Sequence, residues 1–244
     1  MAPIFLDKPD YGKIEDAIRI ERCRVAYFSG DGVNLKRAWV YSIRHSMLGW
    51  NRGDGLRIRG WEGFVIDNGF SVNRGAGVAA REENASVTFI GNRIEWNEQE
   101  NILITAGSEY QITGNYIDRA GSCGLALRGT AGRQCSRMTI TGNHFKASGK
   151  NADPASYNSA HILLEGAKGV TCVGNNFSVG CGETPDEKGA WSPSYGIVCK
   201  NLRNCVIANN VMDDGALWQL ILEEDSAQGV GCKDNRGSLL KDCM

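Results

Sequence analysis

Several charged side chains stand at matching distances from short apolar runs, which is what could bring them together. Arg128, Glu165 and Lys200 each follow the start of such a run by three residues, in LALRG, ILLEG and IVCKN. A carboxylate between two cations is how a lyase or glycosidase holds an acid beside a base or an electrostatic stabiliser. It is equally how a salt-bridge ladder looks, worth about 0 to 1 kcal/mol per exposed pair. Glu223 continues the alternation at the next repeat. A second acidic pair, Glu95 and Asp118, precedes the runs at Ile102 and Leu125 by seven residues each. Two carboxylates about 5 Å apart suit a retaining glycosidase, and Glu98 offers the wider, inverting spacing. Lys36, Arg59 and Arg81 occupy the place of Arg128 in earlier runs. Three like charges in a row call for water or an anion, which an acidic sugar or sulfate could supply.

Aromatic residues repeat as well. Tyr27, Trp50, Trp96 and Trp191 each lie six residues before a run, interrupted by Val72, Arg119, Ser156 and Asp214. A column of stacked rings suits the C–H faces of sugars or simply fills a corner of the fold. Asp213 and Asp214 could add to a calcium site, although a pair of acids is weak evidence for one.

What would position these residues is a repeating unit. From Asn115 to Leu125 is 10 residues, and the same interval separates Cys23 from Val33, Ser46 from Leu56, Asn68 from Val78, Asn92 from Ile102 and Asn210 from Leu220. The runs at the second anchors, from VNLKR through LILEE, read as short strands. Upstream of the next anchor, Tyr110/Ile112, Met138/Ile140, Val170/Cys172, Cys205/Ile207 and Val230/Cys232 alternate with a period of two. Three short strands in about 23 residues, each parallel to its counterpart one turn on, make a parallel β-helix of about eight coils. Asn68, Asn92, Asn115, Asn143, Asn175, Asn210 and Asn235 would stack as a side-chain amide ladder at one tight turn, with Cys23 and Ser46 in that place in the first two coils.

The phrase ITGNxI…G(L/I)xL, as in ITGNYID…GLALRG, resembles the right-handed β-helix repeats of the pectate-lyase-like superfamily over residues 18–236. That resemblance implies an all-β, right-handed parallel β-helix. It implies no single activity, since the superfamily spans lyases, glycoside hydrolases, epimerases, phage tailspikes and non-catalytic modules. The chain lacks the NTD…DD…GHG…RIK set of polygalacturonases and the DPH phrase of alginate epimerases.

Two coils break the interval: Asn143 to Ile162 is 19 and Asn175 to Ile197 is 22. Inserts of 9 and 12 residues at the same turn should emerge side by side, and inserts in repeat arrays usually build the binding face. They would bring Tyr157, His161, Trp191 and Tyr195, with Asp153, Glu183, Asp186 and Glu187, toward Arg128, Glu165 and Lys200. On the same strands Leu103, Leu163, Val198 and Ile221 point outward, so loops or another subunit must cover them.

Composition sets the remaining bounds. A formal charge of −1 in 244 residues offers no global attraction to nucleic acid or an anionic membrane. No run is long enough to span a bilayer, and MAPIFLDKPDYGK lacks the pattern of a signal peptide. Nine cysteines without a CxxC pair or zinc spacing indicate neither a disulfide framework nor a metal site. Cys172, Cys199, Cys205 and Cys232 fall at inward positions as reduced packing residues, compatible with cytoplasmic synthesis. Ile18 and Ile20 already sit inward in a first coil, and PIFL could belong to the coil before it. The expectation is therefore one β-helix domain over residues 1–244, a portion of a longer protein or an oligomer such as a trimer. Its partner would be a glycan and its activity that of a polysaccharide lyase or glycoside hydrolase, without an organic cofactor. The alternative is a glycan-binding or structural module such as a tailspike shaft or adhesin.

Overall fold

A computed structural model describes residues 4–7, 13, 15–130, 132–181, 190–213, 218–225 and 229–237. The period-two runs settle as short parallel strands stacked coil on coil, and the described residues contain no helix. Two sheets make the wall. One folds around a bend, so that Val33–Arg44 and Leu56–Ile66 each run unbroken through both of its flanks. The other stacks the three-residue strands Met47–Gly49, Gly69–Ser71, Arg93–Glu95, Tyr116–Asp118, His144–Lys146, Asn176–Ser178 and their neighbours.

The repeat anchors stack in register: Val33 on Leu56, then Val78, Ile102, Leu125, Ile162 and Ile197. The early strand Ile4–Asp7 pairs in parallel with residues 33–36, so the PIFL run does belong to the preceding coil. One anchor needs correction. Ile197 pairs with Ile221, not Leu220, which sets Lys200 opposite Glu224 and Cys199 opposite Glu223. Leu220, Ile221 and Leu222 are apolar in succession, so alternation alone could not choose between the two registers, and a one-residue slip exchanges the faces.

Inward residues form one continuous core in which like rests on like. Phe89 stacks on Tyr110 at 6.0 Å and Phe145 on Phe177 at 5.4 Å between ring centres. Each fully buried aliphatic or aromatic side chain contributes about 1.5–3 kcal/mol. Cys172, Cys199 and Cys205 are buried free thiols, as are Cys123 and Cys135. Cys232 is exposed instead of buried: among the described residues its strand Gly231–Lys233 ends its row, with a neighbour on one side only. Ile207 does separate it from Cys172.

The asparagine ladder runs from Asn68 to Asn235. At each rung the backbone N–H and Nδ2 donate to Oδ1 of the next rung, as from Asn115 to Asn143 (both 3.0 Å) and from Asn143 to Asn175 (3.1 and 3.0 Å). The remaining Nδ2 hydrogen reaches a main-chain oxygen, as from Asn143 to Ile112 O at 2.9 Å. Ser46 precedes the first rung and donates its backbone N–H to Asn68 Oδ1. A second ladder, Asn51 to Asn73 to Asn97, follows five residues behind the first and ends on Asn101. Its signal is visible in WNRGDG and VNRGAG. No single helix of the described residues is long and apolar enough to cross a membrane.

Candidate functional site

Outward positions on three adjacent strands bring the first candidate centre together. Arg128, Glu165 and Lys200 are in-register neighbours on Leu125–Arg128, Ala160–Glu165 and Tyr195–Lys200. Glu165 Oε2 lies 3.6 Å from Arg128 Nη1, and its Oε1 lies 3.5 Å from Lys200 Nζ. Arg128 Nη2 also donates to Glu100 Oε1 (3.1 Å) and to Asn158 Oδ1 (2.7 Å). Lys200 Nζ stands 4.7 Å over the Tyr157 ring, and the Tyr157 hydroxyl donates to Glu224. That hydrogen bond, followed by burial, raises the tyrosine hydroxyl to about 12. The result is one chain of contacts, Glu100–Arg128–Glu165–Lys200–Tyr157–Glu224. Glu100, Tyr157, Asn158 and Glu224 join it through contacts distant in sequence.

The first insert does more than supply Tyr157. It folds over the outward apolar column, where Leu103, Ala126, Leu163 and Val198 are buried together with Cys123, Ala160 and Tyr195, and Tyr157 and Leu222 pack against them. Within this chain, then, loops cover the column, and Leu222 takes the place expected for Ile221. Tyr195 lies in this cluster and meets the half-exposed Trp218 edge to face at 5.5 Å. Hollows flank the strand face. One of about 370 Å³ is lined by Glu98, Glu100, Ser122, Asn151, Asp153 and Asn158. The other, beside Glu165, is walled by Thr130, Gly132 and Gln134 of a further short insert and by Asn201. That insert shows in the interval Asn115 to Asn143, 28 residues against 23 for Asn92 to Asn115. Glu183, Asp186 and Glu187 of the second insert lie outside the described residues, and so does the side chain of Trp191.

The second candidate centre forms on the other sheet. Glu95 and Asp118 are direct neighbours, flanked by Ser71 and Lys146. The pair is not an isolated dyad. Arg93 Nε donates to Glu95 Oε2 at 2.8 Å, and Arg119 pairs with Asp118. Burial pushes the Asp118 carboxyl upward, with the Arg119 and Lys146 charges opposing. Beside them Arg93 lies 4.6 Å over the Tyr116 ring, which stacks on His144 at 5.2 Å. Desolvation raises the Tyr116 hydroxyl and lowers the His144 imidazole. Tyr116 and His144 follow ladder asparagines directly, in GNYID and GNHFK, which was the available signal for this grid.

Three expectations change. His161 does not reach the groove: it is fully buried, faces inward, stacks on Phe177 at 5.4 Å and shares a 3.1 Å hydrogen bond through Nδ1 with Ser148 Oγ. It directly precedes the inward Ile162, a place held by Gly124 and Gly196 in adjacent coils. The aromatic column also loses two members. Counting back from the strands placed Ser156 and Trp191 in it, but the inserts lie between column and strand, and Ala147 follows Arg119 instead. Tyr27, Trp50, Val72, Trp96, Arg119 and Ala147 all have φ between 47° and 67°. This left-handed bend turns the side chains outward, so Tyr27 and Trp50 stack at 5.7 Å while exposed. Finally, two of the three stacked cations find their anions within the chain. Arg59 pairs with Glu82 and Glu83, each at 3.1 Å, and Arg81 with Asp54 at 3.0 Å. Lys36 stacks on Arg59 in register.

Asp213 neighbours Ser178 on the second sheet, and Asp214 lies outside the described residues. Among the described residues no cluster of three histidine, cysteine, aspartate or glutamate side chains could hold a metal ion.

Parallel coils with a continuous core, an amide ladder and loops gathered at one turn define a solenoid of β-helix type. The chain belongs to the right-handed β-helix family, whose model, described as "Right handed beta helix region", matches residues 12–166. Solved structures of similar fold include an alginate lyase from Paenibacillus sp. str. FPU-7, at 14% identity and a TM-score of 0.61, covering 90% of this chain and 86% of that one. The A-module of the mannuronan C-5 epimerase AlgE6 from Azotobacter vinelandii aligns at 16% identity and a TM-score of 0.63, over 91% of this chain and 65% of its own. A DFA-IIIase from Arthrobacter chlorophenolicus A6 aligns at 15% identity and 0.51, over 90% and 50%. Identities this low carry the fold alone.

Proposed function

We propose that this chain is a polysaccharide-active β-helix domain that hydrolyses a neutral glycan laid across Arg128, Glu165 and Lys200. The observation carrying this reading is that Glu165 and Glu224 share one outward column with Lys200 between them. Two strand spacings put their backbones about 9.6 Å apart. With Glu165 leaning toward Lys200, its carboxyl 3.5 Å from the ammonium, side chains on backbones that far apart can bring the carboxyl groups within the roughly 6.5–9.5 Å that leaves room for a water between acid and base in inverting glycosidases. Glu165 would act as the base that activates this water, with Arg128 and Lys200 offsetting the developing charge. Glu224, held in place by the Tyr157 hydroxyl, would supply the acid in its protonated form. Tyr195 and the half-exposed Trp218 offer an apolar platform for a sugar face.

Charge argues for hydrolysis over elimination from an acidic sugar. With Glu224 protonated as the acid, the network Glu100, Arg128, Glu165, Lys200 and Glu224 holds two carboxylates and two cations, zero in sum, and so gives no net attraction to an anionic chain. Neighbours of the same fold act on glycans by their names, an alginate lyase and a mannuronan epimerase among them, which supports the class of substrate by analogy.

A panel of neutral and acidic polysaccharides, read for reducing ends and for absorbance near 235 nm, tests the reading. We expect reducing ends from a neutral glycan, and a loss of kcat of roughly 100-fold or more in Glu165→Gln and in Glu224→Gln. Asp118→Asn should retain activity. Full activity in both glutamate variants would place the chemistry elsewhere, and unsaturated products would mean a lyase. A second reading, a non-catalytic glycan-binding or structural module, has its own support: the Arg128 guanidinium is already engaged by Glu100, Glu165 and Asn158. Glycan binding with no turnover would favour it.

A further inference from the structure

At the far end of the bore, where every earlier coil presents apolar side chains, the inward column that holds Ile104, Leu127 and Leu164 continues with Cys199 and then Glu223. Across from it, the column of Ile140, Cys172 and Ile207 ends on Cys232. These two ends meet. The Cys232 thiol donates to Glu223 Oε1 at 2.9 Å, which brings it beside Cys199, the in-register neighbour of Glu223. Cys199 is buried, whereas Cys232 is exposed.

We propose that Cys199 and Cys232 form a redox clasp, an oxidisable dithiol that ties the last described coil to the coil before it. An exposed thiol with a second thiol beside it has the parts for thiol–disulfide exchange with a low-molecular-weight disulfide such as oxidised glutathione. Cys232 loses its proton to solvent, and the thiolate attacks one glutathione sulfur, breaking its S–S bond and releasing one glutathione thiolate. That thiolate takes the Cys199 proton. Cys199 sulfur then attacks Cys232 Sγ, forming the Cys199–Cys232 bond and releasing the second glutathione as a thiolate, which takes a proton from solvent. Two protein thiols are oxidised and one glutathione disulfide is reduced to two thiols. The linkage closes a loop of 33 residues (232 − 199), so it limits fraying of the terminal coils.

Among the described residues Cys172 is the competing thiol in the same column, with Ile207 between it and Cys232. The chain as it stands should be incubated with oxidised glutathione, blocked with an alkylating reagent and mapped by peptide mass spectrometry. The expected product is a Cys199–Cys232 crosslinked peptide, 2 Da lighter than its two reduced parts, that dithiothreitol reverses. Cys232→Ser should lose it and leave Cys199 alkylatable only after unfolding, and Glu223→Gln, which removes a charge that disfavours the thiolate, should speed its formation several-fold. A persistent glutathione adduct on Cys232, a crosslink from Cys232 to Cys172, or no reaction at either site would each overturn the proposal. Activity toward glycans is not part of the readout, so failure here is separate from failure of the proposed hydrolysis.

Discussion

His161 shows how one side chain can be assigned to the wrong side of a wall and still matter. Burial, with a smaller contribution from His144, lowers its imidazole to about 3. In the unfolded chain it titrates near the ordinary value of about 6.5. Between these values the unfolded state binds a proton that the folded state refuses, so the stability this neutral histidine allows is present above about pH 6.5 and is lost as pH falls toward 3. Its slope is about 1.4 kcal/mol per pH unit. His161→Phe, between Phe145 and Phe177, should flatten the decline of urea-unfolding free energy between pH 6.5 and pH 4 relative to the parent chain. An unchanged slope would mean that other groups carry the acid sensitivity.

At the scale of elements, ladders and close approaches hold the coils in register. Asn143 is buried, and its Oδ1 accepts both the N–H and the Nδ2 hydrogens of Asn115. Asn143→Ala leaves two donors of Asn115 without their acceptor and removes the side-chain hydrogen bonds to Asn175 Oδ1 and Ile112 O, and should cost about 2–4 kcal/mol in a denaturant titration. A Cβ on Gly55 would stand 2.6 Å from Gly77 O of the next coil. Main-chain oxygen cannot rotate away, so Gly55→Ala should lower the midpoint of thermal unfolding, whereas a substitution at the solvent-facing Gly114, where a Cβ meets no atom within 4 Å, should be limited by its φ of 63° alone. The interval of 10 made the first ladder legible in sequence. The second was equally periodic, five residues behind, and became visible as a structural device only through its hydrogen bonds.

For the whole molecule, the first insert acts both as cover and as part of the candidate groove. Its Tyr157 packs on the apolar column and contacts Lys200 and Glu224. Replacing residues 152–157 by a short glycine link should uncover Leu163 and Val198 and lead to concentration-dependent self-association in sizing experiments, since an exposed contiguous apolar patch seeks a partner. If the shortened chain elutes like the parent at all concentrations, the column has another cover. The same deletion should weaken any glycan hydrolysis, because it removes Tyr157, which lies against Lys200, and frees the adjacent Asn158, which holds Arg128.

Sequence alone determined the β-helix, the asparagine ladder, the stacking of Arg128 on Glu165 on Lys200 and the pairing of Glu95 with Asp118. Each follows from a strict period, and in a solenoid equal spacing in sequence means contact between coils. The tertiary structure decided what periodicity leaves open. Three successive apolar residues at Leu220–Leu222 admit two registers, and only the pairing made Glu224 the neighbour of Lys200. An insert has no period, so the inward turn of His161, the departure of Ser156 and Trp191 from the aromatic column, and the closure of Tyr157 over the strands had to come from packing. The anions that neutralise Arg59 and Arg81 lie outside the repeat column, on Glu82, Glu83 and Asp54. Contacts between coils are local to the repeat; contacts made by loops are set by the surface they fold onto.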